Sequence, residues 1–437
     1  MRFHKDMLLI YTHKITPRFR FTMGHIFEQI LGIEIGFTTT VEDFIKHKGA
    51  KMTYTKQPLQ NEFFVRSNDL LFEKGINDFS IQMGDWEGLP SFFEAGEKSV
   101  IPYDIFSASF FLLSRYEEYL PHVKDELGRY PAKESLAYQN GFLELPVVDL
   151  WALKLFRILE QRFPEIKRKA KAYRYTSIIN VTTSHSFALR GMARSLGALM
   201  FDLGNFRLRR VVQRLLVHLG VRKDPFDNFS TLIELHKKFQ GKTMFFFQFA
   251  DYSTHDKNIS PNNNKFRHLI KAIADYSVVA LSTSFHAGNK IELLRKEKKR
   301  MAQLINRPIK YSRLRYNKVN IPTTYRNLME AEFTDDFSMG YTHEVGFRAG
   351  TCTPFYFYDI NLEEQQPLKV HPFAVHDYAL TKHANTGEIL EQIDAIYRHV
   401  KQVKGQFVTV FSNELLGSKQ KISWLELYQN FLKRYYV

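Results

Sequence analysis

From residue 185 onward the chain carries His185, His286, His343, His371 and His376, with Asp251, Asp256, Glu344 and Asp377 as carboxylates along the same stretch. Imidazole and carboxylate are the groups that hold a divalent ion or move a proton near neutral pH. This is the material from which a hydrolytic site could be built, although a lone His beyond a strand is more often a structural or surface residue. Arg313, Arg315 and Arg348 have another use, because a guanidinium grips a phosphate or carboxylate through two parallel bonds. The single cysteine, Cys352, excludes an internal disulfide and a thiolate metal cage. It sits in Gly-Thr-Cys-Thr-Pro with no evident base beside it, and free cysteine is usually buried filler.

These residues must be positioned by regular elements. Strand-like runs occur at Ser177–Val181, Thr243–Ala250, Ser277–Phe285, Ile309–Ser312 and Phe407–Ser412. Helical patterns lie between them, at 206–219, 265–274, 290–305, 323–331 and 388–404. Strands alternating with helices predict βα units on a parallel sheet, with enough units to close a barrel. Chemistry then belongs just past the strand C-terminal ends. The earlier part of the chain opens with the apolar run Met7–Tyr11, with helical patterns at 25–31, 41–46 and 104–119. Another begins after Pro146 and runs to about Arg162. The charged, proline-marked stretch 163–171 reads as a linker, which predicts domains at 1–168 and 169–437.

The 437 residues suffice for two or three domains, and 44% are hydrophobic. The net charge of +15 suits an acidic partner, such as an anionic glycan, a phosphorylated lipid surface or nucleic acid. A solvated basic surface explains much of it, for instance the helical face Arg295–Arg300. No window reaches the roughly 20 apolar residues of a membrane span. The apolar run near the start is too short for a signal peptide. A cytoplasmic protein is the expectation.

Several segments together resemble the polysaccharide deacetylase superfamily of carbohydrate esterases, in a bacterial branch with an added N-terminal α/β domain. They are Ile101-Pro102-Tyr103-Asp104, Ser114-Arg115-Tyr116-Glu117-Glu118-Tyr119, Gly128-Arg129-Tyr130-Pro131 and Leu145-Pro146-Val147-Val148-Asp149. Farther on come Gly340-Tyr341, Gly346-Phe347-Arg348-Ala349-Gly350-Thr351-Cys352, and Pro372-Phe373 followed by Asp377. The order and spacing carry the resemblance over nearly the whole chain. It implies an α/β fold, a distorted (β/α) barrel of polysaccharide deacetylase type behind the N-terminal domain. It also implies removal of acetyl groups from amino sugars by a metal, usually zinc, held by one Asp and two His. A second Asp would act as base, and a late-strand His would protonate the leaving amine.

The residues at those positions are different. The strand that should end Asp-Val-Asp reads Asn180-Val181-Thr182. An amide is no base, and a threonine is a poor zinc ligand. Ser282 stands where the resemblance places a metal-binding His, with His286 four residues on as a surviving candidate. Arg315, next to Tyr316, replaces another His, and a permanent cation repels a metal. Ser412 stands at the general-acid position. Arg348 matches an arginine that orients a catalytic carboxylate, or else anchors its own loop. Asp377 is retained, and could pair with Arg348 or with another barrel arginine.

The substitutions imply a pseudoenzyme that binds a carbohydrate or a protein partner, with Arg313, Arg315 and Tyr316 as binding residues and no cofactor. The alternative is an active metal-dependent N-deacetylase rebuilt around the histidines named first, with zinc. The basic amphipathic stretch Phe206–Arg214 suits nucleic acid or an anionic membrane surface. No helix-turn-helix or zinc-finger spacing accompanies it, so nucleic acid is not expected as a partner.

Overall fold

The computed structural model describes residues 7–239, 242–418 and 422–436. Two compact units emerge. Unit 1 takes Met1–Arg174, Met339–Ala374 and Asp394–Phe407, and unit 2 takes Tyr175–Ser338, Val375–Ile393 and Val408–Val437.

Unit 1 begins with β1 (Leu8–Tyr11), buried along its length as the apolar run predicts. β1 pairs in parallel with β2 (Ile35–Thr38) and β3 (Lys51–Thr55), and β3 pairs with β4 (Phe63–Arg66). Around this sheet run α1 (Pro17–Met23), continued by a π-helical segment Gly24–Leu31, and α2 (Val41–Lys46). A small antiparallel pair follows, β5 (Met83–Asp85) with β6 (Pro90–Phe92). Then come α3 (Ile105–Leu113), α4 (Leu136–Gln139) and α5 (Val147–Arg162). The expected helix 104–119 is cut short at Leu113. Arg115 adopts φ 55° and Tyr116–Glu118 form a 3-10 turn. Glu117 and Glu118 thereby fold back onto the Arg115 guanidinium.

Unit 2 supplies β7 (Arg174–Val181), then α6 (Met192–Gly204), α7 (Leu208–His218) and α8 (Phe229–Phe239). Strand and helix then alternate through β8 (Lys242–Gln248), α9 (Asn264–Ala274), β9 (Val278–Ser282) and α10 (Ile291–Ile305). β10 (Tyr311–Arg313), α11 (Thr323–Glu330) and the two-residue β11 (Asp335–Asp336) complete that series. The chain returns to unit 1 for the antiparallel pair β12 (Phe355–Asp359) and β13 (Glu364–Val370). It ends with β14 (Val375–His376), α12 (Asp377–Leu380), α13 (Thr386–Gln402), β15 (Gln406–Ser412), α14 (Asn413–Leu416) and α15 (Trp424–Tyr435). Within unit 2 the strand order is β11-β10-β9-β8-β7-β15-β14. The pairs β10–β11, β9–β10, β8–β9, β7–β8 and β14–β15 are all parallel. The α/β class and the parallel βα series are as expected.

The expected single cut near residue 168 does not describe these units. Segments 339–374 and 394–407 pack with the first part of the chain. Buried carboxylates explain much of this. Asp149 on α5 accepts from Thr351 Oγ1 at 2.6 Å, Thr353 Oγ1 at 2.5 Å and the Cys352 amide at 2.9 Å. Glu118 takes the fork of Arg348, with Nε at 2.8 Å and Nη2 at 2.6 Å. A buried carboxylate must be satisfied by such donors, and these donors are remote in sequence. Cys352 is buried, and burial and Asp149 push its thiol well up, against the thiolate form a nucleophile needs.

Glu118 also accepts from Arg115 Nε at 2.8 Å, and all three side chains are buried. Burial alone would raise the Glu118 carboxyl, but Arg348 and Arg115 beside it hold it below its usual range. Glu118→Gln removes the charge that two buried guanidiniums share. The expected cost is about 3–5 kcal/mol, read by chemical denaturation. A loss under about 1 kcal/mol, the scale of an exposed pair, would show that the cluster contributes nothing special to unit 1.

Candidate functional site

The C-terminal ends of the unit 2 strands bring most of the singled-out residues together. Parallel strands aim their C-terminal ends at one rim, where side chains from several strands converge. In the strand register Ser282 lies opposite Gln248 on β8 and Arg313 on β10. Ser282 and Arg313 are both buried.

Two carboxylates are buried beside Arg313. Asp377 accepts from the Ser412 amide at 2.6 Å and from Ser412 Oγ at 2.5 Å. It also lies 2.8 Å from His376 Nδ1 and accepts from the Tyr378 amide at 2.9 Å. Asp336 accepts from Ser338 Oγ at 2.8 Å and the Ser338 amide at 2.9 Å. Burial raises the Asp336 carboxyl, against the pull of Ser338, Ser312 and Arg313. Arg313 donates to the Phe337 carbonyl at 2.5 Å. Burial pushes its guanidinium down to about 10, while Asp336 and Asp377 act to hold the proton. Arg313 thus feels the charge of Asp336 and, more weakly, of Asp377. Arg348 belongs to unit 1, on Glu118.

The neighbouring positions are also engaged. Thr182 Oγ1 donates to Glu414 on α14. Asn180, at the end of β7, keeps a buried Oδ1 without a hydrogen-bond partner. Arg315 stacks over the Tyr316 ring at 4.3 Å, and its buried Nε lacks a partner. The Tyr316 hydroxyl reaches the His255 carbonyl at 3.4 Å. His255 stacks on Phe285 with ring centroids 4.1 Å apart, and Lys318 Nζ lies over that ring at 4.1 Å. The rim thus combines aromatic faces with cations.

His286 is exposed, with its ring near Phe285 at 4.9 Å and His255 at 6.0 Å. Thr182, Ser282 and Arg315 supply no imidazole or carboxylate around it. Among the described residues no three His, Cys, Asp or Glu side chains form a group able to hold a metal ion. The donor set does not fit zinc. The other material for a rebuilt site is scattered. Asp256 accepts from Gln248 Nε2, Ser253 Oγ and the Phe285 amide, tying the β8 and β9 loops together. Asp251 lies at the surface, bridged to Lys296 and Arg300. His343, Glu344 and His371 fall in unit 1, whereas His185 and His376 fall in unit 2.

Sequence reasoning missed Asp336, Glu414 and Glu297. Glu414 stands two residues past Ser412, so its place beyond a strand end was the available signal. Asp336 lies on a strand too short to show a period. Glu297 sits in the charged run read as a helix face, yet it is buried and accepts from the Ser284 amide at 3.0 Å.

Residues 8–164 match a family described as a family of unknown function, DUF7033. No curated protein matches the chain. Among solved structures, a Mycobacterium smegmatis protein assigned as a polysaccharide deacetylase is similar at 12% identity and TM-score 0.39, over 61% of this chain and 86% of that one. A Bacillus cereus polysaccharide deacetylase is similar at 12% identity and TM-score 0.30, over 60% and 88%. A mutant of a CE4 family pseudoenzyme, with restored enzymatic activity, is similar at 9% identity and TM-score 0.29, over 60% and 62%. Likeness at this level leaves any activity to be argued from the site.

Burial pushes the Glu297 carboxyl up to about 7 from 4.5, with Asp256 and Asp251 adding to the rise against the Ser284 hydrogen bonds. The folded state therefore favours the protonated form. This contribution is complete below pH 4.5 and is lost as pH rises through 7. Glu297→Gln keeps an acceptor for Ser284 without the charge. The variant should gain on the order of 2 kcal/mol over the wild type in mildly alkaline buffer and little in acid. Thermal melts across that range check it; equal differences at all pH values would mean Glu297 does not titrate there.

Proposed function

We propose that unit 2 is a polysaccharide-deacetylase-like barrel whose rim binds an anionic saccharide and performs no metal-assisted hydrolysis. The observation that carries this reading is the bond from Ser412 Oγ to Asp377. At the position of the family's general acid stands a hydroxyl already committed to a buried carboxylate. A serine hydroxyl is also far less acidic than imidazolium. The base position offers the amide of Asn180, and Arg315 adds a fixed positive charge where the resemblance calls for a metal ligand. Zinc has no part in this reading.

The same residues suit a ligand. Arg315 is already stacked on Tyr316 and donates Nη2 to its hydroxyl at 3.2 Å, which restricts the guanidinium, a group suited to a carboxylate or phosphate. Tyr316 and Phe285 pack edge to face at 5.9 Å, an aromatic pair of the kind that can flank a sugar ring. A saccharide is favoured over a protein partner because aromatic rings and cations lie side by side at these strand ends. A rebuilt hydrolytic site is the second reading, favoured by one observation. Glu297 is a carboxyl with a pKa near neutral beneath the β9 loop, as an acid or base would need.

Metal content after zinc reconstitution, acetate release from acetylated amino-sugar oligomers, and calorimetric titration with acidic oligosaccharides test the proposal on one preparation. The expectation is no stoichiometric zinc, no acetate, and binding that weakens about tenfold or more in Arg315→Ala. One zinc per chain with acetate release lost in His286→Ala would overturn it. Absence of acidic-saccharide binding would overturn the ligand assignment.

A further inference from the structure

The helical hairpin α6–α7 is turned inside out. Its buried face carries an ion pair, Arg214 Nη2 to Asp202 Oδ2 at 2.7 Å, with both side chains almost fully enclosed. Its exposed face carries apolar residues at helical spacing. On α6 these are Met192, Leu196 and Met200. On α7 they are Leu208, Val212, Leu215 and Leu219, an i, i+4, i+7, i+11 stripe. Phe206, at the turn between the helices, is 87% exposed and Met192 84%. Eleven of the twenty large apolar side chains exposed among the described residues lie between 192 and 221, so the patch is concentrated rather than scattered. A soluble surface does not ordinarily gather apolar groups in this way.

Charge identifies the occupant. Residues 190–223 contain eight Arg and Lys against one acidic residue, Asp202, and that residue is buried. Arg207 and Arg209 flank the Leu208 stripe, each about a quarter-turn to one side. Long cationic side chains beside an apolar stripe can reach lipid phosphates while the stripe enters the acyl boundary. A second copy of this chain would set two strongly basic hairpins against each other. Nucleic acid would meet the cations but give no reason for the exposed Leu and Met stripes. No helix among the described residues is long and apolar enough to cross a membrane.

We infer that the α6–α7 hairpin docks unit 2 onto an anionic lipid surface, lying in the interface with its apolar stripes inserted. This inference stands apart from the saccharide reading of the strand-end rim. Co-sedimentation of the full chain with phosphatidylcholine vesicles, with and without phosphatidylglycerol, tests it. Binding should require phosphatidylglycerol and weaken with salt. Both Leu208→Glu/Leu215→Glu and Arg209→Glu/Arg222→Glu should weaken it by roughly tenfold or more. The substituted side chains are exposed, so an unchanged circular dichroism melt confirms intact folding. Equal binding to neutral and anionic vesicles, no binding to either, or indifference to both variants overturns the inference. So does a concentration-dependent dimer in analytical ultracentrifugation that the leucine variant abolishes, since the stripe would then serve a second copy.

Discussion

Burying a carboxylate is costly unless donors surround it, and the strand ends of unit 2 are organised by that requirement. Asp336 and Asp377 are enclosed, with Arg313 buried beside them as their shared counter-charge. The hydroxyls and amides of Ser338 and Ser412 complete the set. Those groups come from β10, β11, β14 and β15 and the turns that follow, so one network ties down several strand termini.

Unit 1 obeys the same constraint with other residues. Glu118 binds two guanidiniums, and Asp149 gathers two hydroxyls and an amide from the loop at 351–353. Asp104 caps α3 and also accepts from the Tyr54 hydroxyl at 2.6 Å. The segments that carry the family resemblance in the first part of the chain include Asp104, Glu118 and Asp149. Each carboxylate there holds a helix end, a pair of buried guanidiniums or a returning loop.

The α6–α7 hairpin departs from the usual order of burial. An enclosed ion pair is weak evidence of stability, because desolvation offsets much of the attraction. The Arg214–Asp202 pair lies on the enclosed side of the hairpin, while the apolar stripes are exposed.

Local pattern determined a good deal. Alternating apolar strands and amphipathic helices in the sequence give the parallel βα series of unit 2 close to its observed bounds, because burial on a sheet leaves a periodic trace. That Asn180, Thr182, Ser282, Arg315 and Ser412 are not the two Asp and three His residues that the resemblance would place there is likewise readable in the sequence, since the identity of a donor does not depend on folding. Other features left no such trace. The break after Leu113 required the fold-back of two glutamates on Arg115. β13, with Pro367 inside it and polar residues along it, shows no clean alternation. The return of 339–374 and 394–407 to unit 1, the assignment of Arg348 to Glu118, and the burial of Arg313 near Asp336 were decided by tertiary structure alone. Sequence fixes which charges a chain owns, but only three-dimensional enclosure determines which must be paired, and with what.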